Sequence, residues 1–254
     1  LVDTIDYVNG LLDEVAALNI SIIENSASGD HANELVDKRD LILGELGDLI
    51  GATYTETSDG TYTVMVGGGL TVVQSNVAHT LTAEFDVTEQ IHHVGVAADD
   101  PLLIDDRVGG KLAGLIQLRD SDLSDMYDQL NQFAYDFATT INNTHSSNFD
   151  FNGDAGETLF TAPAAVDGFA LEIEVNQNII DDSKLLAAST DPTLVPGDGS
   201  GATAISELEF VDAANGNSMT LSESVNSILS NLGRTTRNAN DSEERNSIRL
   251  QQLE

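Results

Sequence analysis

The chain of 254 residues contains no cysteine. Disulfides, thiolate nucleophiles and Cys-ligated metals are therefore excluded, although the absence fixes no compartment. Tryptophan is absent too, and aromatic residues make up only 5%, so Leu, Ile, Val and Ala must fill any core. That suits slender helical bundles and thin β layers better than a deep enzyme core. Positive charge is scarce: 10 basic residues face 43 acidic ones, for a net charge of −33. A nucleic-acid binder needs cations to neutralise phosphate, and an anionic membrane surface repels such a chain. Neither class fits. No apolar run approaches the ~18 residues of a transmembrane helix, and no signal-peptide pattern is present. The acidity reads either as solubility in a salty, screening medium or as a specific cation-binding role. The few cations are uneven: Arg234, Arg237, Arg245 and Arg249 all lie near the C-terminal end.

A chain of this length can bury a real core, as one large domain or two smaller ones. Leu1, Ile5, Val8, Leu12, Val15 and Ile22 recur at spacings of four and three, the seam pattern of a coiled-coil-like helix over residues 1–24. Asn19 falls on that seam. Either it fixes register, or the seam drifts and Leu18 takes its place. Residues 25–31, rich in Ser, Asn and Gly, read as a loop. Asn33 to Gly51 predicts an amphipathic helix, with Asn33 as cap, Glu34 in the first turn and Gly51 as stop. Its apolar face is Leu35, Val36, Ile42, Leu43, Leu46, Leu49 and Ile50. Strands are expected at 52–57, 61–66, 70–73, 78–85 and 91–96. A long helix follows from Gly110 to Asn143, roughly 50 Å at about 1.5 Å per residue. Its stripe runs through Leu112, Ile116, Arg119, Leu123, Met126, Leu130, Phe133, Phe137 and Ile141. Arg119 interrupts that stripe, which places it at the bundle edge, snorkelling or paired with an acid. Phe169 to Val175 alternates as a strand. Thr220 and Glu223 form a capping box ahead of Leu221, Val225, Ile228 and Leu232. Residues 234–247 are polar enough to fray or to need a partner. Both chain ends fall inside apparent helices, so the sequence reads as a fragment.

Asp150, Asn152 and Asp154 alternate like the first ligands of a calcium loop, with Glu157 nearby. An EF-hand needs Gly at its sixth position and Glu at its twelfth; here these are Ala155 and Thr161. An Asx-rich turn accounts for the segment better, with a looser oxygen-ligand site as the alternative. Asp99, Asp100, Asp105 and Asp106 surround Pro101, as an exposed acidic loop or a divalent-cation site. Glu172 and Glu174 share a strand face, but paired-carboxylate chemistry needs a cleft that nothing here signals. Adjacent His92 and His93 point to opposite faces of a strand and make poor partners for one metal. Neither a His-Glu-x-x-His helix nor a Gly-x-Ser-x-Gly elbow nor a phosphate loop occurs. No catalytic residue, cofactor-binding residue or cofactor is identified.

Three motifs stand in fixed order: Leu35-x-Asp37-x-Arg39-Asp40, then Gly109-Gly110-x-Leu112-x-Gly114-Leu115-x-x-x-Arg119-Asp120, then Asn152-Gly153-Asp154-Ala155-Gly156-Glu157 before an apolar pair. Together they resemble the flagellar hook-associated protein 1 family, over residues 1–233. The resemblance implies an α+β fold, an elongated discontinuous helical bundle with a small β-rich domain formed by two insertions. Residues 1–51, 108–147 and 202–254 are expected in the helical rod domain, and 52–107 and 148–201 in the β-rich outer domain. The further outer β domain of larger members is expected to be missing. The implied role is a non-enzymatic, extracellular structural adaptor between hook and filament, exported unfolded through the flagellar type III channel. The implied partners are further copies of itself in a ring or helical layer, the hook protein and the second junction protein. The isolated chain is expected to be monomeric. Two other readings stay open: another flagellar junction protein or flagellin relative, and a calcium-dependent extracellular adhesin module.

Overall fold

The computed structural model describes residues 1–28, 32–88, 90–98 and 101–251. Its long helices stand beside small antiparallel sheets, an α+β arrangement. The chain divides into two compact units, Leu1–Ser121 and Asp122–Glu254.

The first unit opens with helices α1 (Val2–Ser28) and α2 (Asn33–Ile50). Ile5, Val8, Leu12, Val15 and Ile22 are buried, as the seam spacing requires. The loop expected from residue 25 does not start there. The helix runs on through Ser28, with the side chains of Ser21 and Asn25 turned back onto the carbonyls of Ala17 and Ser21. Residues 29–31 lie outside the described residues. Asn33 is not the cap of α2 either. Ala32 holds that place through its carbonyl, which accepts from Leu35 and Val36, and no side chain caps the helix. Gly51 does end it, in the left-handed conformation.

Strands β1 (Thr53–Glu56), β2 (Tyr62–Val66), β3 (Leu70–Gln74) and β4 (Val77–Ala78) make one antiparallel sheet in sequence order. Strands β5 (Leu81–Asp86), β6 (Ile91–Val96) and β7 (Leu102–Leu103) make a second. Val64, Val66, Val72 and Val73 from the first sheet and Leu81 and Val94 from the second join the apolar faces of α1 and α2 in one core. Helix α3 (Gly110–Gln117) closes it with Leu112 and Ile116. The start of α3 lies against the end of α2: Gly109 N–H donates to the Ile50 carbonyl at 2.7 Å. A Cβ on Gly51 would sit 2.7 Å from the Gly109 Cα, so only glycine permits this approach.

Between α3 and α4 (Leu123–Ser146) the helix takes a π turn at Leu118–Asp122, and the division between the units falls within it. The stripe expected along this helix does not continue past the turn. In α4 the buried positions are Asn131, Ala134, Ala138, Asn142 and His145, while Leu123 and Leu130 are exposed.

The second unit continues with short helices α5 (Phe169–Glu172), α6 (Gln177–Asp181) and α7 (Ser200–Glu207), the hairpin β8 (Asp212–Ala214) and β9 (Met219–Thr220), and the long helix α8 (Leu221–Gln251). The strand expected at 169–175 is a helical turn. Phe169 anchors it against Ala134 and Ala138, Asn131 accepts from Ala170 N–H, and Leu171 points outward at 80% exposure. Alternation in sequence misled because no partner strand lies alongside; only Val175 makes an isolated bridge, to Phe160. Glu172 and Glu174 therefore do not share a strand face. Across 148–201 the described backbone pairs through isolated bridges, with no extended strand. The capping box at α8 is formed: Thr220 accepts from Glu223 N–H, and Glu223 accepts from Thr220 N–H. The polar stretch 234–247 is helical.

Candidate functional site

The polar side chains that matter in this chain grip backbone. In α1, Asn9 donates to the Leu81 carbonyl and accepts from Leu81 N–H, both at 2.8 Å. Asn19 does the same with Tyr62, at 3.0 Å in each direction, and also donates to the Ser75 carbonyl. In the second unit Asn142 repeats the pattern with Phe160, at 3.1 and 2.8 Å. A carboxamide presents one donor and one acceptor, as a backbone edge does, so each asparagine extends a strand-like pairing from a helix surface. Both readings of the α1 seam hold in part: Asn19 is fully buried and Leu18 is buried beside it.

Arg39, from the first motif, completes the Asn19 node. It is only 3% exposed, and among the described residues no carboxylate is hydrogen-bonded to it. Its guanidinium donates to Asn19 Oδ1 and the Gly60 carbonyl and lies 3.7 Å from the centre of the Tyr62 ring. A buried cation is costly unless desolvation is offset; here a ring face and two neutral acceptors offset part of it, while Nε is buried with no hydrogen-bond partner among the described residues. Burial pushes the Tyr62 hydroxyl above its ordinary range. The other members of the motif sit differently: Leu35 packs at the core edge, while Asp37 and Asp40 are exposed.

The second motif divides the same way. Gly109 and Gly110 make the close helix contact, Leu112 is buried, and Gly114 and Leu115 face solvent. Arg119 is paired with an acid, Asp120, and also donates to the His92 carbonyl; that pairing holds the Asp120 carboxyl below the usual range. Asp105 accepts from Val94 N–H at 2.7 Å and contacts His93 Nδ1. The acidic loop thus keeps Asp105 for β6. Asp106 is exposed, and Asp99 and Asp100 lie outside the described residues.

In the third motif Asp150 is buried and folds onto its own loop. Its carboxylate accepts from the amides of Asn152 and Asp154 at 2.8 and 2.9 Å. Asn152 donates back to Asp150, Asp154 is exposed, and Glu157 turns to Asn176 and Asn178. These groups do not converge. Among the described residues, no three His, Asp or Glu side chains could hold one ion. Gly156 has a packing reason: a Cβ there would lie 2.4 Å from the His145 carbonyl oxygen.

Sequence reasoning missed His145, Asn142 and Asn131. Their signal was available: with Ala134 and Ala138 they fall at spacings of three and four along α4, a small and polar inward face. His145 is fully buried between the Glu157 carbonyl (2.6 Å) and Ala187 N–H (2.9 Å). Asn148 beside it donates to the Gly201 carbonyl. Farther out, Asp198 accepts from Ser189 and Ser200, which keep its carboxyl below the usual range.

The second unit also carries an uncharged apolar stripe. Asn215, just ahead of α8, meets Asp136, and Asn231 meets Gln129, so α8 runs back along α4. On that pair Leu123, Tyr127 and Leu130 from α4, and Val225, Leu229 and Leu232 from α8, are 38% to 59% exposed. Each set repeats at spacings of four and three.

A sequence model of the flagellar hook-associated protein FlgK helical domain matches residues 1–160. Flagellar hook-associated protein 1 of Escherichia coli is 30% identical over 164 residues, which cover 62% of this chain and 30% of that protein. The protein of the same name from Salmonella typhimurium is 29% identical over 170 residues, 64% of this chain and 31% of that protein. The matched part thus spans less than a third of the length of these relatives. Among solved structures, the flagellar hook junction protein FlgK from Burkholderia pseudomallei superposes with a TM-score of 0.54 at 28% identity, over 64% of this chain and 30% of that one.

Proposed function

This chain belongs to the flagellar hook-associated protein FlgK family, and we propose from that membership that it is a structural part of the junction between flagellar hook and filament, outside the cell. The observation that carries the reading is the match through residues 1–160, which includes all three motifs. The chemistry of the polar nodes supports it. Asn9, Asn19, Arg39, Asn142 and His145 hydrogen-bond backbone or one another, as parts that set geometry do. The role is mechanical and non-catalytic.

The partners in this proposal are further copies of the same protein in a ring or helical layer, the hook protein on one side and the second junction protein on the other. Head-to-tail contacts of this kind continue a tube. The stripe on α4 and α8 supports contact with neighbours, because an apolar face without charge is unusual in a chain of net charge −33. Within this reading, residues 1–51, 108–147 and 202–254 form the load-bearing helical part, and 52–107 and 148–201 the outward part. The isolated chain is monomeric: six half-exposed side chains fall short of the roughly 20–30 residues per side of a stable interface. Light scattering that found a polymer at every concentration would contradict this.

Immunogold labelling of intact cells with an antibody against this chain tests the role. One narrow band between hook and filament supports it. Label along the whole filament means a flagellin-like protein, and label on the cell body away from flagella points to a surface adhesin.

A further inference from the structure

The hydrogen bonds of His145 assign its protonation state without ambiguity. The amide of Ala187 can only donate, so Nε2 must carry a lone pair; the carbonyl of Glu157 can only accept, so Nδ1 carries the proton. The ring is therefore neutral, and fully buried, with both nitrogens engaged. An imidazolium has two donors and no acceptor. Protonation would turn an N–H at Nε2 against the N–H of Ala187 and put a charge where no counter-charge bonds it.

The segment that this bond holds is extensive. Next to Ala187, the Ala188 carbonyl accepts from Gly201 N–H at 2.8 Å, and Ser189 exchanges two bonds with Phe149. Gly156 lies so close that a Cβ would stand 2.6 Å from the Ala187 Cβ. The imidazole thus joins Glu157 of the 149–157 loop to Ala187, and the neighbouring bonds of Ala188, Ser189 and Asn148 tie Gly201 and Phe149 to the same segments. The charged groups on these packed segments are engaged elsewhere. Asp150 is bonded within its loop and Glu157 to Asn176 and Asn178. Lys184 lies over the Phe151 ring, Asp191 accepts from Thr193, and Asp198 accepts from Ser189 and Ser200. Asp154 is exposed on the loop.

We propose that His145 is an acid-sensitive latch: neutral, it pins residues 187–201 and the 149–157 loop to the end of α4, and on protonation it releases them while the helices persist. The trigger is the proton that Nε2 lacks while it accepts from Ala187 N–H. The inference stands on this geometry and does not depend on the proposed place in the flagellum.

The test is NMR on the whole chain from pH 8 to pH 5, following the ring nitrogens of His145 and the amide protection factors, corrected for intrinsic exchange. The expected result is a neutral ring protonated at Nδ1 at pH 8, a doubly protonated ring at pH 5, and a tenfold or greater loss of protection at Ala187, Ser189 and Gly201. Protection at Gly109 and Ile104 in the first unit should stay constant. His145→Gln keeps one donor and one acceptor but cannot titrate; it should abolish the pH dependence at Ala187. A ring that protonates with Ala187 still protected overturns the latch. So does a ring that stays neutral at pH 5, or protection lost equally in both units. Should the variant fail to fold, the wild-type titration alone decides.

Discussion

The two compact units hold the same kind of polar clasp in very different surroundings. In the first, Asn9 and Asn19 dock strands onto α1 within a continuous apolar core that reaches from Ile5 to Ile116. In the second, Asn142 docks Phe160 beside a core of Ala134, Ala138 and Phe169. Phe169 is the one large side chain fully buried in that cluster, with Tyr135, Phe160 and Ile173 only partly buried around it, so the second unit depends more than the first on backbone hydrogen bonds met one at a time. The first unit should therefore respond most to lost volume, and the second to lost donors and acceptors.

The largest effect expected is in the first unit. Leu46 is fully buried, and Leu46→Ala should cost about 2–5 kcal/mol, read from the denaturant midpoint. Ala138→Gly, equally buried in the second unit, should cost only about 1 kcal/mol, mainly through helix propensity. Equal costs would mean that area matters alike in both units and would break the comparison. Next comes the clasp. Asn142→Ala leaves the N–H and carbonyl of Phe160 without their partner, at about 1–3 kcal/mol. Amide exchange should rise around 158–176 and remain unchanged across β5 and β6. If it rises everywhere, the clasp is not local and the units do not respond separately.

The same contrast explains what the sequence made legible. In the first unit apolar spacing carries much of the information: the seam of α1, the face of α2 and the strands expected at 61–66 and 70–73 all appear in the structure, whereas the alternation expected at 52–57 does not, since β1 is exposed along its whole length. Asn19 stood out as a polar residue on an apolar seam. What it binds was hidden, because Tyr62 and Ser75 are remote in sequence. In the second unit, periodicity fails. The inward face of α4 is polar and small, so its exposed leucines looked like the core. The π turn at Leu118–Asp122 interrupts the helix that the spacing reads as continuous. Phe169 to Val175 looked like a strand because alternation is a local property, whereas a strand needs a neighbour. The β8–β9 hairpin was not expected, although Asn215-Gly216 is a known turn signal; in the structure Asn215, Gly216 and Asn217 all take positive φ there. The site followed the same line: Arg39 and Arg119 were named from motifs and Asp105 from the acidic loop, while His145 was passed over because its partners are backbone groups.

A smaller effect sharpens the view of the second unit. Thr220→Ala removes the oxygen that accepts from Glu223 N–H at the start of α8. The expected cost is about 1 kcal/mol, seen as lower helicity by circular dichroism and as fraying of residues 221–224 by amide exchange. Since α8 exposes Val225, Leu229 and Leu232, little packing compensates a lost cap. No change in that first turn would mean that pairing with α4 holds the helix and the cap is redundant.

The smallest effect expected returns to the first unit, where acid should reach a turn and leave the core alone. Asp59 lies between β1 and β2, and its carboxylate accepts from the hydroxyl of Thr57 and from the hydroxyl and amide of Thr61. These bonds, that of Thr57 foremost, lower its pKa from 3.8 to about 2. The unfolded chain therefore takes up the proton first as pH falls. The contribution of Asp59 is fully present above about pH 4 and is lost between there and about pH 2, on the side of the folded value. Because the group is exposed, the loss should appear in the turn and barely in global stability. Chemical shifts of Thr57 and Thr61 should move in that window, and Asp59→Asn should remove the transition. Asp191 and Asp198 in the second unit are lowered in the same direction by their Ser and Thr partners, so strong acid loosens turns in both units. The His145 latch differs in kind. It acts through a ring that must be neutral to hold, so its release should be separable from the loosening of the Asp191 and Asp198 turns when His145→Gln is titrated beside the wild type.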